Sequence, residues 1–230
     1  MVFGVNLIYL LILVAVSLGL ILGTRALQKS ALAELSHTLY VDNDPETYAR
    51  MLNSRFLSLV LRRGTVALLK LDGALFSGVP AAVWEVCALL EGIKKLKQEE
   101  RLNWYQKALS FAVMRTDKQH AEAYLTRLVR FLEKEPDESL KAIVKEAKQL
   151  YGVYIEKDAA LIDELEKDAA VFDGARRGLV LYRLAKLHHF EGDDEKAAGL
   201  LNEAAAGLKG NPWFDVAERA LADHSVLDTE

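Results

Sequence analysis

Cysteine is almost absent from this chain of 230 residues, since Cys87 is the only one. No intramolecular disulfide and no thiolate metal cluster can therefore form. Proline is scarce, with four residues, and segments of the strand type are nearly lacking. The abundant residues, Ala, Leu, Glu and Lys, are good helix formers. These features predict an all-α protein in which Cys87 is a buried, inert thiol.

Charged side chains are missing from the first 23 residues, which are mostly aliphatic. As a helix, the apolar run from Val2 to about Gly23 would reach about 33 Å, enough to cross the hydrocarbon core of a bilayer. A cleaved signal peptide is the competing interpretation, but it requires basic residues before the run and a small-x-small site after it. The sequence thus predicts a transmembrane anchor over 1–24 and a juxtamembrane segment over 25–44, either a continuing helix or a linker.

Basic residues flank this run on one side only, where Arg25 and Lys29 follow it. The positive-inside rule therefore places the following domain in the cytoplasm. Through Arg130 the chain has 16 Lys and Arg against 11 Asp and Glu, whereas the remainder has 13 against 22. A more basic half is expected beside an anionic membrane surface. The chain is predicted to be a single-pass membrane protein with a cytoplasmic C-terminal domain.

Helix breakers recur along the rest of the chain. Asp44-Pro45 predicts a helix start, because Asp caps the first amide groups and Pro suits the first helical position. The core face of this helix is predicted to comprise Met51, Leu52, Phe56, Leu59 and Val60. Gly64 is expected to interrupt the chain, and later hairpins are predicted to start at Pro136-Asp137 and Asp173-Gly174. Turns near 78, 116, 155 and 192 repeat at about 38 residues, which is typical of a two-helix repeat or of a bundle with helices of similar length.

The last hairpin adds residue identity to this spacing. The relevant positions are Leu181, Leu184, Ala185 and His188 in its first helix, Gly192 at the turn, and Ala197, Leu201 and Ala204 in its second helix. In the tetratricopeptide repeat (TPR) family, the first helix has Trp, Leu, Gly and Tyr at these places, and the second helix has a small-large-small series. The last hairpin of this chain resembles that family. The segment departs from the family pattern in three ways. Leu181 replaces the large aromatic residue, His188 replaces Tyr, and Asn211-Pro212 comes a few residues later than the proline of the family.

The resemblance extends over about 150 residues and is specific in the last 45 or so. It implies a TPR-like right-handed solenoid of helical hairpins over 45–222, with a concave groove. The final segment, 223–230, is predicted to be a disordered tail.

Motifs of catalysis are missing from the sequence, including H-E-x-x-H, G-x-S-x-G and a phosphate-binding glycine loop. His188 and His189 would point about 100° apart on a helix and have no further ligand at i+4, so they predict no metal site. His37, His120 and His224 are isolated in the sequence. No catalytic residue, metal or cofactor is therefore predicted, and the pI of 5.8 argues against a nucleic-acid partner.

The TPR resemblance implies that the first helices of the hairpins line the groove. It predicts a partner-binding surface formed by Leu179, Tyr182, Lys186, His189 and Phe190. Such an aromatic and cationic surface suits an extended or carboxylate-bearing peptide. In the alternative interpretation, Tyr182 and Phe190 belong to the core and Lys186 is merely solvated.

The predicted function is that of a membrane-anchored adaptor or scaffold without catalysis, which binds a membrane-associated protein partner. An accessory subunit of a membrane complex in protein export or envelope folding, with the repeats facing outward, is the main alternative. An enzyme whose site is assembled by the solenoid is a third, and converging carboxylates or histidines would favour it.

Overall fold

The computed structural model describes residues 23–133 and 138–229. Within these ranges every regular element is a helix, so the all-α prediction is confirmed there. The chain divides into two compact units, the first ending at Trp104 and the second running from Tyr105 to Glu230. Packed helical hairpins recur along the chain, which is compatible with a helical repeat fold.

The described helices follow one another with short connections. In chain order they are α1 (23–40), α2 (Pro45–Leu52), α3 (Arg55–Val60), α4 (Arg63–Ser77), α5 (Pro80–Glu91), α6 (Gln98–Met114), α7 (Lys118–Leu132), α8 (Glu138–Tyr151), α9 (Ile162–Val171), α10 (Gly174–Phe190), α11 (Asp194–Leu208), α12 (Trp213–Ala222) and α13 (Val226–Thr229). A π-helical turn (Gly152–Glu156) and a 3₁₀ turn (Ala159–Leu161) connect α8 with α9.

The predicted transmembrane helix requires a correction. Apart from Gly23 and Thr24, it lies outside the described residues. Across 23–133 and 138–229, none of the helices combines the length and the apolar character that a membrane span needs. The predicted fold class, a transmembrane helix followed by a solenoid, is therefore replaced by an all-α fold of helical hairpins. The cytoplasmic location and the outward-facing alternative stay predictions.

Helix α1 covers most of the segment 25–44, for which a helix or a linker is predicted. It carries charged residues at Arg25, Lys29 and Glu34, while Leu35 and Leu39 are fully buried. The core of the first unit consists of Ala31, Leu35, Leu39, Tyr48, Leu52, Leu57 and Leu61. The apolar side of α1 thus packs in one core with residues of α2 and α3, because residues four apart lie on the same face in successive helical turns.

Helix α2 begins where predicted, since the Asp44 carboxylate accepts a hydrogen bond from the Thr47 amide at 2.9 Å. Its predicted core face is only partly correct, because α2 ends at Leu52 and Ser54 caps the new helix α3. The break changes the helical phase. Phe56 and Leu59 are consequently 52% and 86% exposed, and Leu57 is buried in their place.

The four predicted turns are confirmed, and each contains a residue in the left-handed region: Gly78, Thr116, Lys157 and Gly192. A left-handed residue reverses the chain after a helix, and glycine adopts this conformation without strain. The predicted interruption at Gly64 is wrong, because Gly64 lies inside α4. The predicted helix start at Pro136-Asp137 lies outside the described residues, and α8 is described from Glu138.

Hairpin α10–α11 buries every helical position that carries the TPR resemblance: Leu181, Leu184, Ala185, His188, Ala197, Leu201 and Ala204. Its glycines permit a close approach of the two backbones. A Cβ atom added to Gly178 would lie 3.0 Å from the Ala204 carbonyl oxygen, and one added to Gly207 would lie 3.0 Å from the Gly174 carbonyl oxygen. Small residues therefore determine how closely α10 and α11 pack.

The segment 223–230, predicted to be a disordered tail, contains α13 in this structure. Leu227 is fully buried, and its carbonyl oxygen accepts a hydrogen bond from the Lys186 side chain. Burial of one leucine and one carbonyl group against α10 explains why the segment is ordered into a helical turn.

Candidate functional site

The five predicted partner-binding residues do not form one exposed surface. Tyr182 is fully buried and Lys186 is 2% exposed, whereas Leu179, His189 and Phe190 are partly buried. Helix α10 packs against α9, α11 and α13, so neighbouring helices cover most of its circumference. The predicted exposure of Tyr182 and Lys186 is therefore wrong, and the alternative of a solvated Lys186 is wrong as well.

Lys186 is held in a closed environment. Its Nζ donates to the Leu227 carbonyl oxygen and lies 4.9 Å from the centroid of the Tyr154 ring and 5.4 Å from that of Phe190. Aromatic faces stabilise a buried cation through their quadrupoles. Burial also raises the pKa of the Tyr154 hydroxyl to about 12, so this phenol stays neutral beside the lysine. Lys186 thus joins α10 to α13 within the core.

Phe190 is similarly occupied, since the Lys157 Nζ lies 4.0 Å from the centroid of its ring. His188, its neighbour on α10, is buried. Burial, followed by the nearby charge of Lys196, lowers the pKa of the His188 imidazole, which is therefore neutral at pH 7. Phe190 is thus in contact with the segment that connects α8 with α9, and His188 belongs to the core.

A groove of about 360 Å³ lies within the second unit, and Leu179 lines it. Four helices, α6, α8, α10 and α12, contribute most of its walls. Leucine, methionine, alanine and aromatic side chains predominate, with a few polar groups among them. The lining residues are Gln106, Leu109, Ser110, Met114, Leu128, Ile143, Glu146, Ala147, Leu150, Tyr154, Leu179, Arg183 and Trp213.

Arg183 supplies the cation of this groove. Its side chain is 11% exposed, and one guanidinium nitrogen lies 3.4 Å from a carboxylate oxygen of Glu146 on α8. Arg183 is one turn after Leu179, so the two residues share a face of α10. The sequence does not single out Arg183, because the predicted groove face is centred on Tyr182 and Lys186. The i,i+4 spacing from Leu179 is the feature that identifies Arg183.

His189 lies in a separate cluster at the end of α10. Its Nδ1 is 2.6 Å from Asp194 Oδ1, and its Nε2 is 3.7 Å from Asp228 Oδ1. His224, isolated in the sequence, has its Nδ1 3.7 Å from the same Asp194 oxygen. Hydrogen bonding to His189, together with both nearby imidazoles, lowers the pKa of the Asp194 carboxyl. The fold thus brings together two histidines that lie 35 positions apart.

No protein-family model, curated protein or solved structure matches this chain.

Proposed function

We propose that the protein is an adaptor that binds a partner protein through a TPR-like array of helical hairpins and catalyses no reaction itself. The groove within the second unit holds an extended segment of that partner, and Arg183 binds a carboxylate of the segment. The observation that carries the proposal is that α6, α8, α10 and α12 all line the same groove.

The order of these helices supports a TPR-like arrangement. Helices α6, α8 and α10 are the first helices of the hairpins whose turns lie near 116, 155 and 192. First helices line the concave side of TPR solenoids, as the resemblance implies. An array of this kind presents a long preformed surface, which reduces the conformational entropy lost when a partner binds.

The chemistry of the groove defines the occupant. Leu150, Leu179 and Trp213 offer apolar contacts to side chains of an extended peptide. Arg183 has five N–H donors, and its contact with Glu146 uses one nitrogen at a long distance. A carboxylate is the group that best matches the remaining donors, because it accepts two parallel hydrogen bonds from a guanidinium. The expected ligand is therefore a mostly apolar segment with one carboxylate.

The proposal is tested with fluorescein-labelled peptides of about eight residues, which span about 26 Å when extended. Each carries leucines at alternate positions and is made with either a C-terminal carboxylate or a C-terminal amide. Fluorescence polarisation should show tighter binding of the carboxylate form. Arg183→Gln should weaken that binding about tenfold or more, since hydrogen bonds to charged groups contribute about 1.5–3 kcal/mol.

Arg177→Gln is the matched control. Arg177 is also on α10 and pairs with Glu203 at 2.8 Å, but it does not line the groove. This variant should bind the carboxylate peptides as the unaltered protein does. Equal affinities of the unaltered protein and Arg183→Gln for every peptide would contradict the proposed role of the groove.

A further inference from the structure

A second cluster with the chemistry of a binding site lies at the end of hairpin α10–α11, and the proposed adaptor function does not use it. It combines side chains from three segments. His189 belongs to the last turn of α10, Asp194 begins α11, and His224 lies between α12 and α13. The three potential ligand atoms lie within 4.8 Å of one another.

The donor set is that of a transition-metal site. Two imidazole nitrogens and one carboxylate oxygen are ligands that Zn²⁺ accepts at about 2.0–2.2 Å. In a tetrahedral site such atoms are about 3.3 Å apart. The distances from Asp194 Oδ1, 2.6 Å to His189 and 3.7 Å to His224, lie on either side of this value. Small side-chain rotations would therefore bring the three atoms around one ion.

Asp228 adds the outer partner that metal-bound histidines usually have. Its Oδ1 lies 3.7 Å from Nε2 of His189, the nitrogen on the far side of the ring from Asp194. With a shift of a few tenths of an ångström, this carboxylate would accept a hydrogen bond from Nε2, which would orient the ring and keep Nδ1 deprotonated for the ion. Asp228 belongs to α13, so the cluster includes an outer partner from that helix.

We propose that His189, Asp194 and His224 bind a divalent transition ion of the zinc class, and that the ion fastens α13 to hairpin α10–α11. Three protein ligands leave one coordination position for water. The Asp194 and Asp228 side chains are more than half exposed, so an ion can reach the site from solvent. The Leu227 carbonyl, which accepts a hydrogen bond from Lys186, lies in the same helical turn as Asp228.

The experiment is a titration of the full chain, without a histidine tag, with Zn²⁺ in competition with a chromophoric chelator. One ion per chain should bind. His224→Gln should lower the affinity at least tenfold, because it removes one of three ligands. The matched control is His120→Gln, since His120 forms a similar pair with Asp117 at 2.7 Å but belongs to no three-ligand group in the described part of the chain. This control should bind Zn²⁺ as the unaltered protein does.

Circular dichroism establishes that each variant is folded before titration, and Asp194→Asn provides a second ligand variant if His224→Gln fails to fold. Asp228→Asn should retain one ion per chain and bind it about 10- to 100-fold more weakly, as expected for an outer partner. Equal Zn²⁺ affinity of the unaltered protein and the ligand variants would overturn the site, as would the absence of binding by the unaltered protein.

The fastening role has its own readout. Zn²⁺ should slow hydrogen exchange of the amides in 226–229 in the unaltered protein and leave that exchange unchanged in His224→Gln. Zn²⁺ binding without slower exchange in α13 would overturn the fastening role. Neither result depends on peptide binding, so failure of this proposal and failure of the adaptor proposal are distinguishable.

Discussion

Helix α4 and hairpin α10–α11 use glycine in different ways. In α4, a Cβ atom added to Gly73 would meet the ring of Tyr48 at 2.9 Å, so this glycine makes room for a side chain of α2. In α10–α11, Gly207 faces backbone atoms of the paired helix, and Gly178 faces both the Ala204 carbonyl oxygen and the Leu208 side chain. The first arrangement depends on one aromatic ring, whereas the second determines the distance between two backbones.

The two close glycines lie in the last hairpin, which is also the part of the chain where the TPR resemblance is specific. Backbone contact restricts the residue type at several positions at once, because each added carbon would push the helices apart. Contact with a side chain restricts the sequence less, because a side chain has torsions of its own whereas a backbone atom moves only with its helix. Similar helix lengths and turns thus recur along the chain with different residues at the contacts.

The largest effect is expected from Tyr182→Ala in α10. Tyr182 is fully buried and packs against Trp213 with ring centroids 5.6 Å apart. Removing such a ring typically lowers the free energy of unfolding by about 3–5 kcal/mol. Urea denaturation measures the change, and Leu89→Ala in α5, at a side chain that is 55% exposed, serves as the control. A loss below about 1 kcal/mol would favour the exposed position that the sequence predicts for Tyr182.

A smaller effect is expected from Gly178→Ala, which tests the backbone contact directly. The new methyl group would meet the Leu208 side chain at 2.7 Å and the Ala204 carbonyl oxygen at 3.0 Å. Overpacking costs about 1–3 kcal/mol, and the gain in helix propensity offsets up to about 1 kcal/mol of that cost. Thermal unfolding should therefore show a lower midpoint.

Two further glycines make this test a matched series. Gly199 in α11 has open space around an added Cβ atom, so Gly199→Ala should raise the midpoint of thermal unfolding. Gly73→Ala should lower it less than Gly178→Ala does, because the contact is with a ring. A Gly73→Ala variant less stable than Gly178→Ala would contradict the proposed difference between the ring contact of α4 and the close packing of α10 on α11.

The smallest effect concerns α8 and α9, which are joined by polar side chains. Lys145 lies 2.6 Å from the Asp168 carboxylate, and Gln149 donates to it at 2.8 Å. Burial opposes ionisation of Asp168, but the hydrogen bonds from Lys145 and Gln149 outweigh it and lower the pKa of this carboxyl. The ionised group therefore stabilises the fold above its unfolded pKa of about 3.9, and this contribution disappears as the pH falls through the lower folded value.

Asp168→Asn should accordingly reduce stability at pH 7 by about 1 kcal/mol or less, the range of partly exposed ion pairs. The difference between this variant and the unaltered protein should shrink as the pH is lowered below about 4. Urea denaturation at a series of pH values provides the measurement. A difference that is independent of pH would exclude the proposed role of the Asp168 charge.

Local chemistry explains which parts of the fold could be predicted from sequence. The start at Asp44-Pro45 and the turns at Gly78 and Gly192 depend on residues within one helical turn, so they can be read directly. The sequence does not show which residues face the core after a short break in a helix. The prediction that Phe56 and Leu59 belong to the core face is therefore wrong. Of the candidate groove, Leu179 was predicted, whereas Arg183 depends on which helices cover α10.

By itself, the sequence determined that the described chain is helical and where its hairpins turn. These properties follow from intrinsic propensities, chain reversal and the spacing of side chains along one helix. Only the tertiary structure decided that Lys186 is buried, that four helices share a groove and that His224 meets His189 at Asp194. Each of these contacts joins residues distant in the chain, so their proximity depends on how the helices pack.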